Sequence, residues 1–247
     1  MKTILITGGS NGIGYAVADK ALREGCRVIL LAREPRGLAA ARETLIGSGA
    51  PAERISTAAV DIGDTGALRR CVAELPWVGD GLDGLVNNAA VETLHLVEDF
   101  PEKAIERIFR VNCLAPIVLI QLCLPALKRC GGSIVNVSSV ADQRRGARYS
   151  VYAASKGFLN VFSKQAAVEL GYQGVRINLV SPGGVDTPLM AEVTAQYFKP
   201  GDTARVHASI PMEQRWARAE EIADTIWFAL SGPRYLHGAD LRIDGAM

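Results

Sequence analysis

No sign of charge dominates this chain. Lys plus Arg number 27 against 26 Asp plus Glu, a formal net charge of +1 over 247 residues. A basic surface for nucleic acid or an anionic membrane is therefore not expected. Cysteine is scarce as well: Cys26, Cys71, Cys113, Cys123 and Cys130 form no CxxC pair. An odd count of five fits reduced thiols in the cytoplasm better than a disulfide framework. The three histidines, His95, His207 and His237, stand far apart without metal-ligand spacing, and no metal site is expected. No apolar run approaches the roughly 18 residues of a membrane span. Residues Met1 to Thr7 lead straight into a glycine-rich turn, leaving no room for the apolar region of a signal peptide. Repeats, low-complexity blocks and linkers are also missing.

What the chain does contain is core-forming material. Hydrophobic residues make up 49% and charged residues 21%, a balance that favours one globular α/β domain over 1–247. Short runs rich in Val, Ile and Leu alternate with longer helical patterns: Thr3–Thr7, Arg27–Ala32, Ile55–Val60, Leu82–Val86, Ser133–Val137, Val175–Val180 and Leu241–Ile243. That rhythm predicts βαβ units, and the lack of polar alternation predicts helices on both faces. The expected fold is a Rossmann-type doubly wound parallel sheet of about seven strands, with ligands outside the strands' carboxyl ends. The stretch of mixed signals at about 186–215 reads as a substrate lid.

Thr7-Gly8-Gly9-Ser10-Asn11-Gly12-Ile13-Gly14 follows the first strand and opens an amphipathic helix. Glycines there allow tight turns and close approach to a pyrophosphate, and free N–H groups at a helix start favour an anion. Gly8, Ser10, Asn11, Gly12, Ile13 and Gly14 are therefore cofactor-binding candidates. The second strand ends in Ala32-Arg33, where an NAD enzyme would place a carboxylate for the ribose 2′-hydroxyl. Arg33 can instead hold the 2′-phosphate of NADP, or merely cap a surface turn; the expected cofactor is NADP(H).

Farther on stand Asn87-Asn88-Ala89-Ala90, Asn112, Ser138-Ser139, Tyr152-Ala153-Ala154-Ser155-Lys156 and Ser181-Pro182-Gly183-Gly184-Val185-Asp186-Thr187. With the TGxxxGxG turn, their order and spacing resemble the short-chain dehydrogenase/reductase family over essentially the whole chain. The resemblance implies a carbonyl reductase or alcohol dehydrogenase. In it Tyr152 handles the hydroxyl proton, Ser139 holds the substrate oxygen, Lys156 holds the nicotinamide ribose, and Asn112 positions a proton-relaying water. It also implies that Asp61 and Ile62 contact adenine, Asn88 and Ala89 line the ribose, and Val185 and Thr187 meet the carboxamide. Asp61 could equally be a helix N-cap. Two departures are Ala90 and Asp142, each where the family often has Gly; Asp142 would bring a carboxylate near the substrate mouth.

The chemistry can be argued from the residues as well. Tyr152 and Lys156 are four apart and share a helix face. A tyrosine of pKa about 10 is a poor base near neutrality, and a neighbouring ammonium should lower it. An NADP-binding regulator on the same fold is the alternative, although such a protein should have lost the Tyr or the Lys. A sugar-nucleotide epimerase of the extended kind would carry a larger C-terminal domain. Arg144, Arg145 and Arg148 between Ser139 and Tyr152 could attract an anionic substrate or could form a solvated loop. The apolar series Ile105, Ile108, Val111, Leu114, Val118, Leu122 and Leu124, beside the segment Val151–Leu170, exceeds what one sheet face needs to cover. A homotetramer is expected, with a dimer as the alternative.

Overall fold

The computed structural model describes all residues from Met1 to Met247. Its elements in chain order are β1 (Thr3–Thr7), α1 (Gly12–Arg23), β2 (Arg27–Ala32), α2 (Pro35–Gly47), β3 (Ile55–Ala59), α3 (Thr65–Glu74), β4 (Gly84–Asn87), α4 (Glu102–Phe109), a π turn (Arg110–Leu114) and α5 (Ala115–Cys130). Then follow β5 (Ser133–Val137), α6 (Ser150–Gly171), β6 (Arg176–Pro182), α7 (Pro188–Tyr197), α8 (Asp202–Ala208), α9 (Ala219–Ser231) and β7 (Asp240–Ile243). All strand pairings are parallel, in the order β3-β2-β1-β4-β5-β6-β7. The chain reverses direction across the sheet between β1 and β4, which opens a crevice at their carboxyl ends.

Both faces of the sheet are apolar, as the strand sequences require. Ile4, Ile6, Val28, Leu30, Val86 and Val135 point to one side, where α1, α2 and α9 cover them. Leu5, Ile29, Leu31, Leu85, Ile134 and Ile177 point to the other and pack on α3, α5 and α6. Successive strand residues thus enter different cores, which is why the strands read as unbroken hydrophobic runs. Three strands begin and end where the sequence places them, and the others shift by one or two residues. The β4 ladder starts at Gly84, paired with Ile4 and Ser133, while Leu82 is buried just before it.

The expectation of no membrane-length apolar segment needs correcting. Glu102 to Cys130 is one continuous helical rod, and its most apolar 18-residue window has a mean hydropathy of 1.8 and is 56% buried within the fold. Asn112 and Gln121 interrupt an otherwise apolar stretch and hid this length. Ile108, Val111 and Val118, assigned above to surplus surface, are spent on the core, whereas Leu114 and Phe109 remain exposed.

Candidate functional site

The glycine turn shows its purpose in its backbone. Gly8 and Gly12 have φ of +68° and +54°, a left-handed region that side-chain-bearing residues rarely adopt. A Cβ on Gly8 would stand 2.8 Å from Asn88 Nδ2, and one on Gly14 would collide with the Gly8 carbonyl oxygen. Gly14 therefore packs α1 against the turn and, contrary to its assignment as a cofactor contact, does not line the cleft. At the start of α1, Asn11 is extended and makes no side-chain cap, and the first turn has no acidic residue. Its N–H groups are left for an anion. Thr7 fastens β1 to β4: its Oγ1 accepts from Asn88 N and Ala89 N, both at 3.0 Å, while Asn88 Nδ2 donates to the Thr7 carbonyl at 2.9 Å.

One cleft of about 750 Å³ runs along the strand ends. It collects Gly8, Ser10, Asn11, Gly12, Ile13, Arg33, Asp61, Ile62, Asn88, Ala89, Ser139, Tyr152, Lys156, Val185 and Thr187, nearly every residue proposed from sequence. Arg33 is exposed and makes no ion pair or side-chain hydrogen bond, so its guanidinium is available. Asp61 does not cap α3; Asp64 does, accepting from Ala67 N at 2.9 Å. Burial pushes the Asp61 carboxyl up, but Arg107 and the Gly63 N–H outweigh it and hold the carboxyl below its ordinary value. Arg107 reaches Asp61 at 2.9 Å through two nitrogens, a partner the sequence did not announce.

Asn112 is not in the cleft. The π turn carries it inward, where it is 1% exposed, and its amide is occupied. Oδ1 accepts from Val91 N and Nδ2 donates to the Val91 carbonyl, both at 2.9 Å, with a further bond to Ser155 Oγ at 3.1 Å. Ser155 Oγ in turn donates to the Tyr152 carbonyl at 2.7 Å. The residue expected to hold a water thus clamps the loop after β4 to α6, a positioning role. Such π turns insert one extra residue and re-aim the side chains near them.

The environment of Tyr152 departs from expectation as well. Its phenol is pushed well above its ordinary pKa, first by burial and then by the Glu92 carboxylate, with a hydrogen bond to Ser139 acting in the opposite direction. Lys156 Nζ lies 5.7 Å from the centre of the Tyr152 ring and donates to the Val137 carbonyl at 2.9 Å. Burial lowers its pKa to about 8, partly offset by Glu92. In the chain by itself, burial and the Glu92 carboxylate dominate the phenol. A protonated phenol beside Ser139 in the cleft is a proton donor, which suits reduction.

Asp142 also moves from its expected place. It lies off the cleft, where its Oδ2 accepts from Asn160 Nδ2 at 2.6 Å. Arg144 and Arg145 line the cleft and Arg148 does not. The sequence reading missed Glu92 and Tyr149, which share the cleft wall with Tyr152. Any residue just after the Asn88–Ala90 loop must open into the crevice, and this was the available signal. From the 186–215 segment, α7 and α8 bring Leu189, Met190 and Val206 to the same wall.

The far end of that segment is pinned by Arg215, whose Nη1 and Nη2 each reach a different Glu221 oxygen at 2.8 Å. Arg215, aided by the Arg218 N–H, holds the Glu221 carboxyl down at about 2. Because the folded value lies below the unfolded one, the pair stabilises the protein above about pH 4.5, and the contribution fades as pH falls toward 2. Glu221→Gln should therefore flatten the acid side of a melting-temperature profile, and an unchanged profile would rule the pair out as a cause of acid sensitivity.

A family profile described as short chain dehydrogenase matches residues 2–197. The chain is 32% identical over 253 residues to sorbitol dehydrogenase of Cereibacter sphaeroides, covering 99% of this chain and 96% of that protein. It is also 32% identical over 248 residues to L-xylulose reductase of Caenorhabditis elegans, covering 99% and 94%. A crystal structure of a short chain dehydrogenase from Burkholderia cenocepacia in complex with NADP superimposes with a TM-score of 0.86 at 30% identity, covering 99% of this chain and 96% of that one.

Proposed function

Because the chain belongs to the short-chain dehydrogenase family, we propose that it is an NADP(H)-dependent oxidoreductase that interconverts a small-molecule carbonyl and its alcohol, with Tyr152 as proton donor. The observation that carries this reading is the meeting of Ser139, Tyr152 and Lys156 in the cleft that begins at the glycine turn. The donor set fits the cofactor: uncapped N–H groups at α1, the left-handed glycines and the unpaired Arg33 suit a pyrophosphate and a 2′-phosphate. When bound there, NADPH would supply the hydride for the carbonyl carbon. Ser139 holds the carbonyl oxygen and Tyr152 delivers a proton to it, giving the alcohol. Lys156 holds the ribose side of the cleft and keeps a positive charge near the phenol. Asn112 keeps the loop after β4 and α6 in register. The 186–215 segment acts as the substrate lid, since it supplies apolar groups to the reaction end of the cleft. Purified protein mixed with NADPH and a panel of ketones and ketoses should consume NADPH with at least one of them; no consumption across the panel would refute the reading.

We place the protein in the cytoplasm, in keeping with its five free thiols, and infer a homotetramer, with a dimer as the alternative. Leu114 and Phe109 on the α4–α5 rod and Phe158, Val161 and Val168 on α6 are 37–64% exposed, two apolar strips that a two-fold contact would cover. Light scattering at micromolar concentration should give four times the chain mass; a monomer would contradict the assembly.

A further inference from the structure

We propose that Glu92 is a specificity-determining residue that accepts a hydrogen bond from a hydroxyl on the carbon beside the substrate carbonyl, so that the preferred substrates are neutral α-hydroxy ketones. The proposal rests on the carbonyl-reductase reading above and narrows its substrate class. Glu92 lines the cleft together with Ser139, Tyr149 and Tyr152, close enough for its charge to act on Tyr149, Tyr152 and Lys156. Glu92 is half-buried and takes part in no ion pair or hydrogen bond within the chain, so its carboxylate is left to accept one from a ligand in the cleft.

Its position is held firmly. Val91, the residue before it, has both its N–H and its carbonyl clamped by the Asn112 amide at 2.9 Å, so the backbone entering Glu92 is fixed against α6. Such support from behind is how a recognition group keeps its aim. Burial pushes the Glu92 carboxyl up to about 7, so near neutrality a donor in the cleft meets an anionic or readily ionised acceptor.

The charge around the site selects the kind of donor. A carboxylate or phosphate on the substrate beside the carbonyl would face Glu92 and be repelled. An ammonium there would face Lys156, with Arg144 and Arg145 along the same cleft. A neutral hydroxyl avoids both penalties, and it sits on the carbon next to the carbonyl whose oxygen Ser139 and Tyr152 engage. Glu92 thus distinguishes substrates by an unpaired acceptor that only a donor-bearing substrate satisfies.

The test uses acetoin and methyl isopropyl ketone, which differ by a hydroxyl in place of a methyl, with aminoacetone as a third substrate. The wild-type protein with NADPH should favour acetoin over methyl isopropyl ketone by about 10-fold or more in kcat/KM, the scale of one hydrogen bond to a charged group. Glu92→Leu should bring that ratio near unity while still reducing methyl isopropyl ketone, and Glu92→Gln should keep an intermediate ratio. An acetoin preference that survives Glu92→Leu, no preference in the wild type, or a wild-type preference for aminoacetone would overturn the proposal while leaving carbonyl reduction intact. Failure of the wild type to reduce any of the three would overturn the proposal together with the reading beneath it.

Discussion

Replacing Tyr152 with Phe should lower turnover by about 10²- to 10⁴-fold, the usual cost of losing a general acid, with fold and cofactor affinity nearly unchanged. Tyr152 is 8% exposed, and its phenol stays protonated because burial and Glu92 raise its pKa. The carbonyl oxygen, which must gain a proton as hydride arrives, would lose the donor that the mechanism assigns to it. Ser139→Ala should also slow turnover, since its hydroxyl matters most as charge develops on that oxygen. The double change should cost much less than the product of the two, because Ser139 and Tyr152 act on the same atom. Lys156→Ala should reduce both turnover and cofactor affinity, since Lys156 is 3% exposed at the junction of the two. Single-turnover rates at saturating NADPH separate these outcomes, and near-normal rates for Tyr152→Phe would remove it as the proton donor.

The second large effect concerns the cofactor. NADPH should bind at least about tenfold more tightly than NADH, because a charge-assisted contact to phosphate contributes roughly 1.5–3 kcal/mol. Ala32 closes β2 opposite Ala59 of β3, so no carboxylate stands where a ribose 2′-hydroxyl would seek an acceptor, and Arg33 beside it is unpaired. Ala32→Asp with Arg33→Gln should reverse the order: the aspartate would accept from the 2′-hydroxyl of NADH and repel the 2′-phosphate of NADPH. Titration of protein fluorescence with each cofactor measures this, and equal wild-type affinities would refute the assignment to Arg33.

These expectations could be drawn before the fold was seen because the motifs sit at chain positions whose backbone leaves little choice. Gly8 must adopt a left-handed φ, β1 must end at Thr7, and the spacing of Ser139 and Tyr152 sets the residue after β5 beside the first turn of α6. The strands were legible because both their faces are buried, so Val, Ile and Leu run without interruption. Contacts made across long separations were not legible. Nothing local in the sequence says that Asn112 spends its amide on Val91, that Arg107 seeks Asp61, or that Asp142 turns to Asn160 instead of the substrate mouth. Glu92 escaped notice for the same reason: its surroundings are assembled from α6 and the loop after β4, some 60 residues apart. Four-residue spacing announces Lys156 as a neighbour of Tyr152 but says nothing of the burial and the Glu92 carboxylate that raise the phenol.

The central claim is that this cleft moves hydride from NADPH to a carbonyl carbon with Tyr152 as the proton source. It is tested most directly with NADPH carrying deuterium on the nicotinamide carbon that releases hydride, in separate preparations labelled on each face, and a ketone turned over by the protein. Mass spectrometry of the product should show one deuterium on the carbinol carbon from one labelled face and none from the other, with the yield collapsing in Tyr152→Phe. Alcohol lacking deuterium from either preparation, or equal yields from wild type and Tyr152→Phe, would contradict the account.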